Sequence, residues 1–201
     1  MTVGKLLNKR LMKPVYRNAN YVAFYVNEPF NESNLRAYLQ KDFCYYQMLK
    51  AWKASDSEFK FIDAHSKTYN VRDDSNWERT LKPRLHERLR LSVNLILFLS
   101  SNTTNSRALR EEINYAINIL NLPIIVIYPE YSDLSDIHDN NGFTYNVRNL
   151  WNKLPIFRDN KHKVPVLHTP MSKELIKMAL IDRDFRINTK GDRGDYYYPM
   201  R

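Results

Sequence analysis

Short apolar runs alternate along the chain with segments in which apolar residues recur every three or four positions. A short apolar run bounded by polar or turn residues is typical of a strand buried on both faces of a parallel sheet. The sequence therefore predicts five strands, at Tyr21–Val26, Phe59–Ile62, Val93–Leu99, Pro123–Tyr128 and Val164–Leu167.

The segments between these runs have the helical period. Tyr45, Leu49 and Trp52 recur at helical spacing, as do Leu81, Leu85 and Leu89. The second helix has two possible starts, a capping-box pattern at 75–78 and a proline at 83. The predicted helices are 42–53, one that ends near 90, one from about 106 to 120, a short one over 147–154, and 171–185.

Five alternations of strand and helix predict an α/β fold with a doubly wound, parallel, five-stranded sheet. Residues 20–185 are expected to form this domain, with an irregular insertion at 131–162. A basic arm at 1–19 precedes it, and a tail at 186–201 follows, either disordered or docked. Ligands of such sheets bind beyond the carboxyl ends of the strands. The residues expected there are Asn27, Glu28, Asp63, His65, 100–105 and 128–130.

Two adjacent acids in the third predicted helix should point in different directions. Leu109, Ile113 and Ala116 define the buried stripe of this helix. At about 100° per residue, Glu112 falls about 60° from Leu109, whereas Glu111 falls about 200° away. Glu111 is therefore expected to point to water and Glu112 to lie on the shoulder of the buried face. The structural alternative for Glu112 is an ion pair with a neighbour such as Arg88 or Arg107.

The net charge of +9 first suggests nucleic acid as a partner. The charge is concentrated in the tails, however: residues 1–20 carry +5 and residues 186–201 carry +2, which leaves +2 for the body. Basic tails are commonly solvated. We therefore do not expect nucleic acid to be the main partner.

The sequence lacks the motifs of several common kinds of functional site. A single cysteine, Cys44, excludes an internal disulfide and a cysteine cluster for zinc, and fits a reducing compartment. The four glycines form neither a dinucleotide fingerprint nor a P-loop. No GxSxG is present, and no spacing suggests a metal site or a cofactor. No apolar run reaches 18 residues, so we expect a cytoplasmic protein without a membrane partner.

Two clusters at predicted strand ends are candidate ligand groups. Asp63 and His65 lie two residues apart and face the same side if the strand continues through them. They suit acid–base work, ribose binding or a metal site, although a metal would need further ligands that no spacing supplies. The alternative is a turn aspartate beside a surface histidine. Ser100 and Ser101 precede a helix start that can receive a phosphate or ribose, or they are simple loop and cap residues.

The segments in this order resemble the TIR-like family of prokaryotic anti-phage defence, the type found in Thoeris systems as ThsB. The resemblance covers about residues 20–130. It rests on YVAFYVNE, YYQMLKAWK, FKFIDAH, LKPRLHERLRLS before LILFLSSNT, LREEINYAI and LPIIVIY.

The resemblance implies a flavodoxin-like sheet with strand order 2-1-3-4-5 and cleavage of the nicotinamide–ribose bond of NAD. NAD is then a substrate, and no cofactor is needed. The catalytic glutamate of the third helix corresponds by position to Glu112. The implied product is an ADP-ribose-derived second messenger, cyclic or conjugated, that activates a separate effector protein. A phage-derived trigger and self-assembly into a homo-oligomer are the other implied partners.

The remaining pocket residues follow from that resemblance and the strand ends. They are Phe24, Tyr25, Asn27, Asp63, His65, Ser100 and Ser101. Many TIR enzymes have a tryptophan four residues before the glutamate, where this chain has Ala108. Phe24, Tyr25 and Trp77 are the alternative stacking groups. Two other functions stay open: a non-catalytic adaptor that assembles or binds a nucleotide, and a nucleic-acid-associated factor that uses its basic arms.

Overall fold

The computed structural model describes residues 16–25, 41–66 and 76–199. Most of the predicted basic arm lies outside these ranges, as do Asn27 and Glu28, the capping residue predicted at position 75 and the last two residues of the tail. The strands are β1 Ala19–Ala23, β2 Ser92–Phe98, β3 Ile124–Tyr128, β4 His138–Asp139, β5 Gly142–Phe143, β6 Pro165–Pro170 and β7 Gly194–Tyr196.

The central sheet contains five parallel strands in the order β1-β2-β3-β6-β7, while β4 and β5 form a separate antiparallel pair. Every residue of β1, β2, β3 and β6 is buried. Strands covered on both faces need apolar residues at consecutive positions, which explains the unbroken apolar runs. The predicted α/β fold with a doubly wound parallel sheet is confirmed.

The second predicted strand is reduced to a single parallel bridge, between Asp63 and Asn20. Backbone hydrogen bonds join Asn20 to Ile62 and to Ala64, and the Asn20 side chain accepts a further bond from the Ile62 amide. The segment therefore lies beside β1, where the order 2-1-3-4-5 requires it. Its buried side chains, Phe59 and Phe61, anchor it in place of a long ladder.

Helices cover both faces of the sheet. They are α1 Lys41–Ser55, α2 Lys82–Arg90, α3 Arg107–Asn114, α4 Tyr145–Asn152, α5 Pro155–Asn160 and α6 Lys173–Ile181. One apolar core lies between the sheet and α2, α3, α4 and α5, and a second lies between the sheet and α1 and α6. A π-helical segment at 77–81 precedes α2 and another at 115–119 continues α3. The second helical region thus begins at the Asn76 cap, close to the earlier of its two predicted starts.

The C-terminal tail docks on the sheet. Its strand β7 pairs in parallel with β6, as Pro165 with Gly194 and Leu167 with Tyr196. In the described part of the chain, the sheet thus has only a single bridge beyond β1 at one edge, and the strand β7 extends it at the other edge. Within the described ranges, no helix is long and apolar enough to cross a membrane.

Candidate functional site around Glu112

Glu112 lies in the second turn of α3, on the face toward the sheet. Ser106 caps the helix by accepting a hydrogen bond from the Leu109 amide, and Leu109 and Ile113 are buried in the core. This fixes the rotation of the helix and directs the half-buried Glu112 toward β1. There the Tyr21 hydroxyl donates a hydrogen bond of 2.8 Å to Oε1 of Glu112. The predicted inward direction of Glu112 is confirmed.

The environment of Glu112 favours its neutral form. Burial raises the pKa of this carboxyl to about 8, although the hydrogen bond from Tyr21 and the charge of Arg88 both act to lower it. Loss of hydration disfavours a charged carboxylate more than one hydroxyl and one nearby cation favour it. Glu112 is therefore mostly protonated at neutral pH in the free protein. A carboxyl with this property can donate as well as accept a hydrogen bond.

Arg88 is the cation of the site, and His65 holds it. Nη1 of Arg88 lies 3.2 Å from Nδ1 of His65, and Nε2 of His65 lies 3.0 Å from the Val22 carbonyl oxygen. A guanidinium only donates and a carbonyl only accepts, so these two contacts assign the proton of His65 to Nε2. Tyr21 and Val22, adjacent residues of β1, thus fix the acid and, through His65, the guanidinium.

His65 is held in its neutral form. Burial and the charge of Arg88 lower its pKa to about 4, against the opposing effects of Asp63 and the Val22 carbonyl. Its ring also packs on the Tyr21 ring, with centroids 4.7 Å apart. Since both ring nitrogens are engaged, His65 orients Arg88 and does not exchange protons at neutral pH. The acid–base role considered for His65 is therefore not supported by its contacts.

Both carboxylate oxygens of Asp63 accept hydrogen bonds from other groups of the protein. Its Oδ2 accepts a hydrogen bond of 2.6 Å from the Tyr46 hydroxyl, and its Oδ1 accepts one from the His65 amide at 2.9 Å. These contacts join the end of the short edge segment to α1. Asp63 thereby shapes the turn that presents His65.

The aromatic residues after β1 lie on opposite faces of the sheet. Phe24 packs in the core beside α1 and stacks on Tyr46, with centroids 5.4 Å apart. Tyr25 packs against the core that contains Tyr21 and α3. Trp77 also borders that core, and the guanidinium of Arg107 lies 4.9 Å from its ring centroid. Of the three alternative stacking groups, Tyr25 and Trp77 share the face of Glu112, whereas Phe24 does not.

Ser100 is buried at the end of β2 and is bonded within its own loop. Its hydroxyl donates to Asp42 Oδ1 at 2.8 Å, and its amide donates to the Thr103 hydroxyl at 2.9 Å. Ser100 and Asp42 are 1% and 2% exposed. Burial raises the pKa of Asp42, although the hydrogen bond from Ser100 acts to lower it. This Ser100–Asp42 pair ties the loop after β2 to the start of α1.

Ser101 forms a separate, exposed cluster beyond β3. Its amide donates to Glu130 Oε2 at 3.0 Å, and its hydroxyl also donates to Glu130. Lys153 donates to the Ser101 carbonyl at 2.8 Å. Among the predicted site residues that the structure describes, His65 belongs to the Glu112 site through Tyr21 and Arg88, and Asp63 and Phe24 contact α1. Ser100 and Ser101 lie in the loop after β2, and Tyr25 borders the core on the Glu112 face of the sheet.

Glu111 does not point to water, contrary to the expectation from the helical wheel. Its Oε1 lies 2.8 Å from Nε2 of His86 and 3.3 Å from Nζ of Lys82, and its side chain is 21% exposed. Helix α2 packs beside α3 and covers this flank, which a single-helix projection cannot show. Burial opposes the ionisation of Glu111, but the hydrogen bonds from His86 and Lys82 prevail and lower its pKa.

Tyr21 is a site residue that the sequence does not single out, and Arg88 is foreseen there only as one possible partner of Glu112. Tyr21 belongs to an apolar strand run, where a tyrosine is most simply a core residue. Arg88 falls about 60° from Leu85, on the shoulder of the buried face of α2, as Glu112 does from Leu109 on α3, and this was an available signal.

Among the described residues, no group of three or more histidine, cysteine or acidic side chains is placed to hold a metal ion. A profile of the family described as Thoeris protein ThsB, TIR-like domain, matches residues 21–134. This is more than half of the chain. The chain belongs to that family.

The matched range of this TIR-like protein begins at Tyr21 and includes Arg88 and Glu112. The residues that hold the acid and its cation therefore all lie within the TIR-like domain, whereas α4, α5, β6, α6 and β7 follow the matched range. Family membership supports a role in Thoeris anti-phage defence.

Proposed function

We propose that this TIR-like protein cleaves the nicotinamide–ribose bond of NAD, with Glu112 as the catalytic residue, and produces an ADP-ribose-derived second messenger. The observation that supports the proposal is the half-buried Glu112, held by Tyr21 beside Arg88 at the helix that follows a central strand. Cyclisation or conjugation of the ADP-ribosyl group yields a diffusible signal for a separate effector protein.

The chemistry suits a carboxyl in such a position. When the bond between ribose C1′ and the pyridinium nitrogen breaks, the bond electrons leave with nicotinamide, which becomes neutral. The ribosyl group is left as an oxocarbenium-like cation, and water or a hydroxyl or amine nucleophile then bonds to C1′ and loses its proton. A carboxyl can hold the ribose hydroxyls by hydrogen bonds and, when ionised, stabilise the developing positive charge.

The high pKa of Glu112 is compatible with this role. The pyridinium ring of NAD is cationic, and a cation near a carboxyl lowers its pKa. Binding of NAD is therefore expected to favour loss of the Glu112 proton at neutral pH. The free site avoids a poorly hydrated carboxylate, and the carboxylate forms when the substrate arrives.

NAD consumption in phage-infected cells tests the proposal, because infection supplies any phage-derived trigger. Cells that express wild-type protein, Glu112→Gln or Glu111→Gln are infected, and NAD and its products are measured by mass spectrometry. We expect Glu112→Gln to lower the rate of NAD loss by about 100-fold or more. Glu111→Gln, the adjacent control, should stay within about threefold of wild type. Equal NAD loss in Glu112→Gln and wild type would refute the catalytic role.

A non-catalytic adaptor is the second candidate, and one observation favours it. The polar groups of Asp63, His65 and Ser100 are bonded to neighbours within the protein and are not presented to a ligand. In this case no NAD would be lost in infected cells, and Glu112→Gln would protect against phage as well as wild type.

A further inference from the structure

Tyr21 places a hydroxyl group within the buried core of the protein. The residue is 2% exposed and lies opposite Leu95 in the β1–β2 ladder, within the core that includes Leu97 and Leu109. A buried hydroxyl without a partner destabilises a fold, and phenylalanine would fill nearly the same volume without that cost. The hydroxyl is bonded to Glu112, 91 positions away in the sequence.

The ring of Tyr21 has little freedom to move. It belongs to the central residue of a five-residue buried strand, and the His65 ring packs on it with the two ring centroids 4.7 Å apart. His65 is itself fixed by the Val22 carbonyl and by Arg88. The hydroxyl oxygen is therefore a fixed point to which a side chain on α3 is attached.

Only one oxygen of Glu112 is engaged in this way. Tyr21 bonds to Oε1, and no described residue forms a hydrogen bond with Oε2. A carboxyl with one oxygen held by the protein has a set orientation and keeps its other oxygen for a ligand. Such a group can meet a ligand without first losing side-chain freedom.

We propose that Tyr21 is the positioning residue of Glu112: its hydroxyl holds Oε1 so that Oε2 faces the ribose of the bound substrate. The inference rests on the proposed NAD cleavage and adds a residue that does not touch the substrate. Positioning of this kind acts on the chemical step, because it pre-orients the group that stabilises the transition state.

A positioning role predicts a particular pattern of kinetic effects for Tyr21→Phe. The ring remains, so substrate affinity should change little, and KM should stay within about twofold of wild type. Release of Oε1 should lower kcat by about tenfold or more. The lost hydrogen bond also favoured the ionised form of Glu112, so its removal should move the pH midpoint of kcat/KM to higher pH.

The test measures kcat, KM and the pH midpoint of kcat/KM for NAD with full-length wild type, Tyr21→Phe and Glu112→Gln. The assays use lysates of infected cells in which the protein concentration has been measured. Tyr198→Phe is the matched control, because Tyr198 also donates to a carboxylate, Asp182 at 3.1 Å, but lies in the tail. It should leave kcat and the pH midpoint unchanged. A merely structural role of Tyr21 would lower the amount of folded protein without moving the pH midpoint, and this result would overturn the inference.

A second measurement does not depend on turnover. The carboxyl carbon of Glu112 is followed by ¹³C NMR during a pH titration of purified full-length wild type and Tyr21→Phe. A higher midpoint in Tyr21→Phe supports the positioning role, and an unchanged midpoint overturns it. Full NAD turnover by Glu112→Gln would refute the proposed function itself, whereas inactive Glu112→Gln with wild-type kinetics for Tyr21→Phe would refute only the role of Tyr21.

Discussion

Nε2 of His168 donates a hydrogen bond of 3.0 Å to Oδ1 of Asp195, and this bond ties the C-terminal tail to the sheet. His168 is fully buried on β6, and its Nδ1 accepts a bond of 2.7 Å from the Tyr128 hydroxyl. Trp151 in turn donates to that hydroxyl at 2.8 Å. A continuous chain of donors and acceptors therefore runs from α4 through β3 and β6 to β7.

Asp195→Ala should destabilise the protein, because it leaves a buried imidazole donor without its partner. We expect a loss of about 1–3 kcal/mol in the free energy of unfolding, measured by urea denaturation. Asp192→Ala is the matched control: Asp192 lies in the same segment and is exposed like Asp195, but its side chain does not bond to His168, so the change should alter stability by less than about 0.5 kcal/mol. Equal stability of the two variants would show that the tail does not depend on the His168–Asp195 bond.

Glu112→Gln should stabilise the protein at mildly alkaline pH. The pKa of Glu112 is about 8 in the folded protein and near 4.5 when unfolded, so the folded state binds the extra proton between these values. The stability that this proton contributes is complete below pH 4.5 and is lost as pH rises through 8. A glutamine does not titrate and avoids this loss.

The interval from pH 6.5 to 8 suits this comparison, because the contribution of His65, whose folded pKa is about 4, changes mainly below its unfolded value of 6.5 and is common to both proteins. There, wild type should lose about 1–2 kcal/mol relative to Glu112→Gln, measured by denaturation at each pH. Glu111→Gln is the control. Its carboxylate has a lowered pKa, so the variant should be less stable than wild type at neutral pH, with no added slope in this interval. Parallel curves for wild type and Glu112→Gln would show that the Glu112 pKa is not raised.

His65 should remain neutral with its proton on Nε2 through the physiological range. Its lowered pKa means that the folded protein resists protonation until about pH 4. The linked stability is present above pH 6.5 and is lost as pH falls toward 4. Long-range ¹H–¹⁵N NMR of the imidazole reports both the tautomer and the midpoint. A midpoint near 6.5, or a proton on Nδ1, would contradict the arrangement of Val22, His65 and Arg88.

Ser100→Ala should reduce stability more than Ser101→Ala. The Ser100 hydroxyl is buried and donates to the buried Asp42, whereas the Ser101 hydroxyl bonds to Glu130 at the surface. Loss of the buried bond removes one of the donors that satisfy the buried Asp42 and should lower the free energy of unfolding by about 1–3 kcal/mol. The exposed bond should contribute less than about 1 kcal/mol, since water replaces it. Thermal denaturation of both variants measures the two losses of stability. A larger loss in Ser101→Ala would show that the buried Ser100–Asp42 bond is not the stronger of the two.

Much of the fold was predictable because the responsible patterns are local. Fully apolar runs such as 93–99 and 123–128 can be placed in parallel strands, and the spacing of Leu109, Ile113 and Ala116 identified the buried face of α3 and directed Glu112 inward. The extent of the second strand was predicted wrongly, because the segment forms only one bridge to β1. Whether such a short run forms a ladder or one bridge depends on its neighbour, and its sequence does not contain that information.

The candidate site was predictable only in part. Glu112 was identified by helical geometry and family resemblance together, but its partner was not, because Tyr21 lies 91 positions away and looks like a core residue. Asp63, His65 and Ser100 remain predicted pocket residues, yet their hydrogen bonds within the protein could not be anticipated. Hydrogen-bond partners of this kind are set by the distances between elements.

The sequence alone determined the alternation of strands and helices, the parallel sheet and the inward face of α3, since periodicity and apolar runs are properties of neighbouring residues. Only the tertiary structure decided that Glu111 pairs with α2, that β7 extends the sheet and that Glu112 bonds to Tyr21. Burial makes the difference. It changes the charge state of a carboxyl and the strength of its contacts, and it exists only once distant segments have packed together.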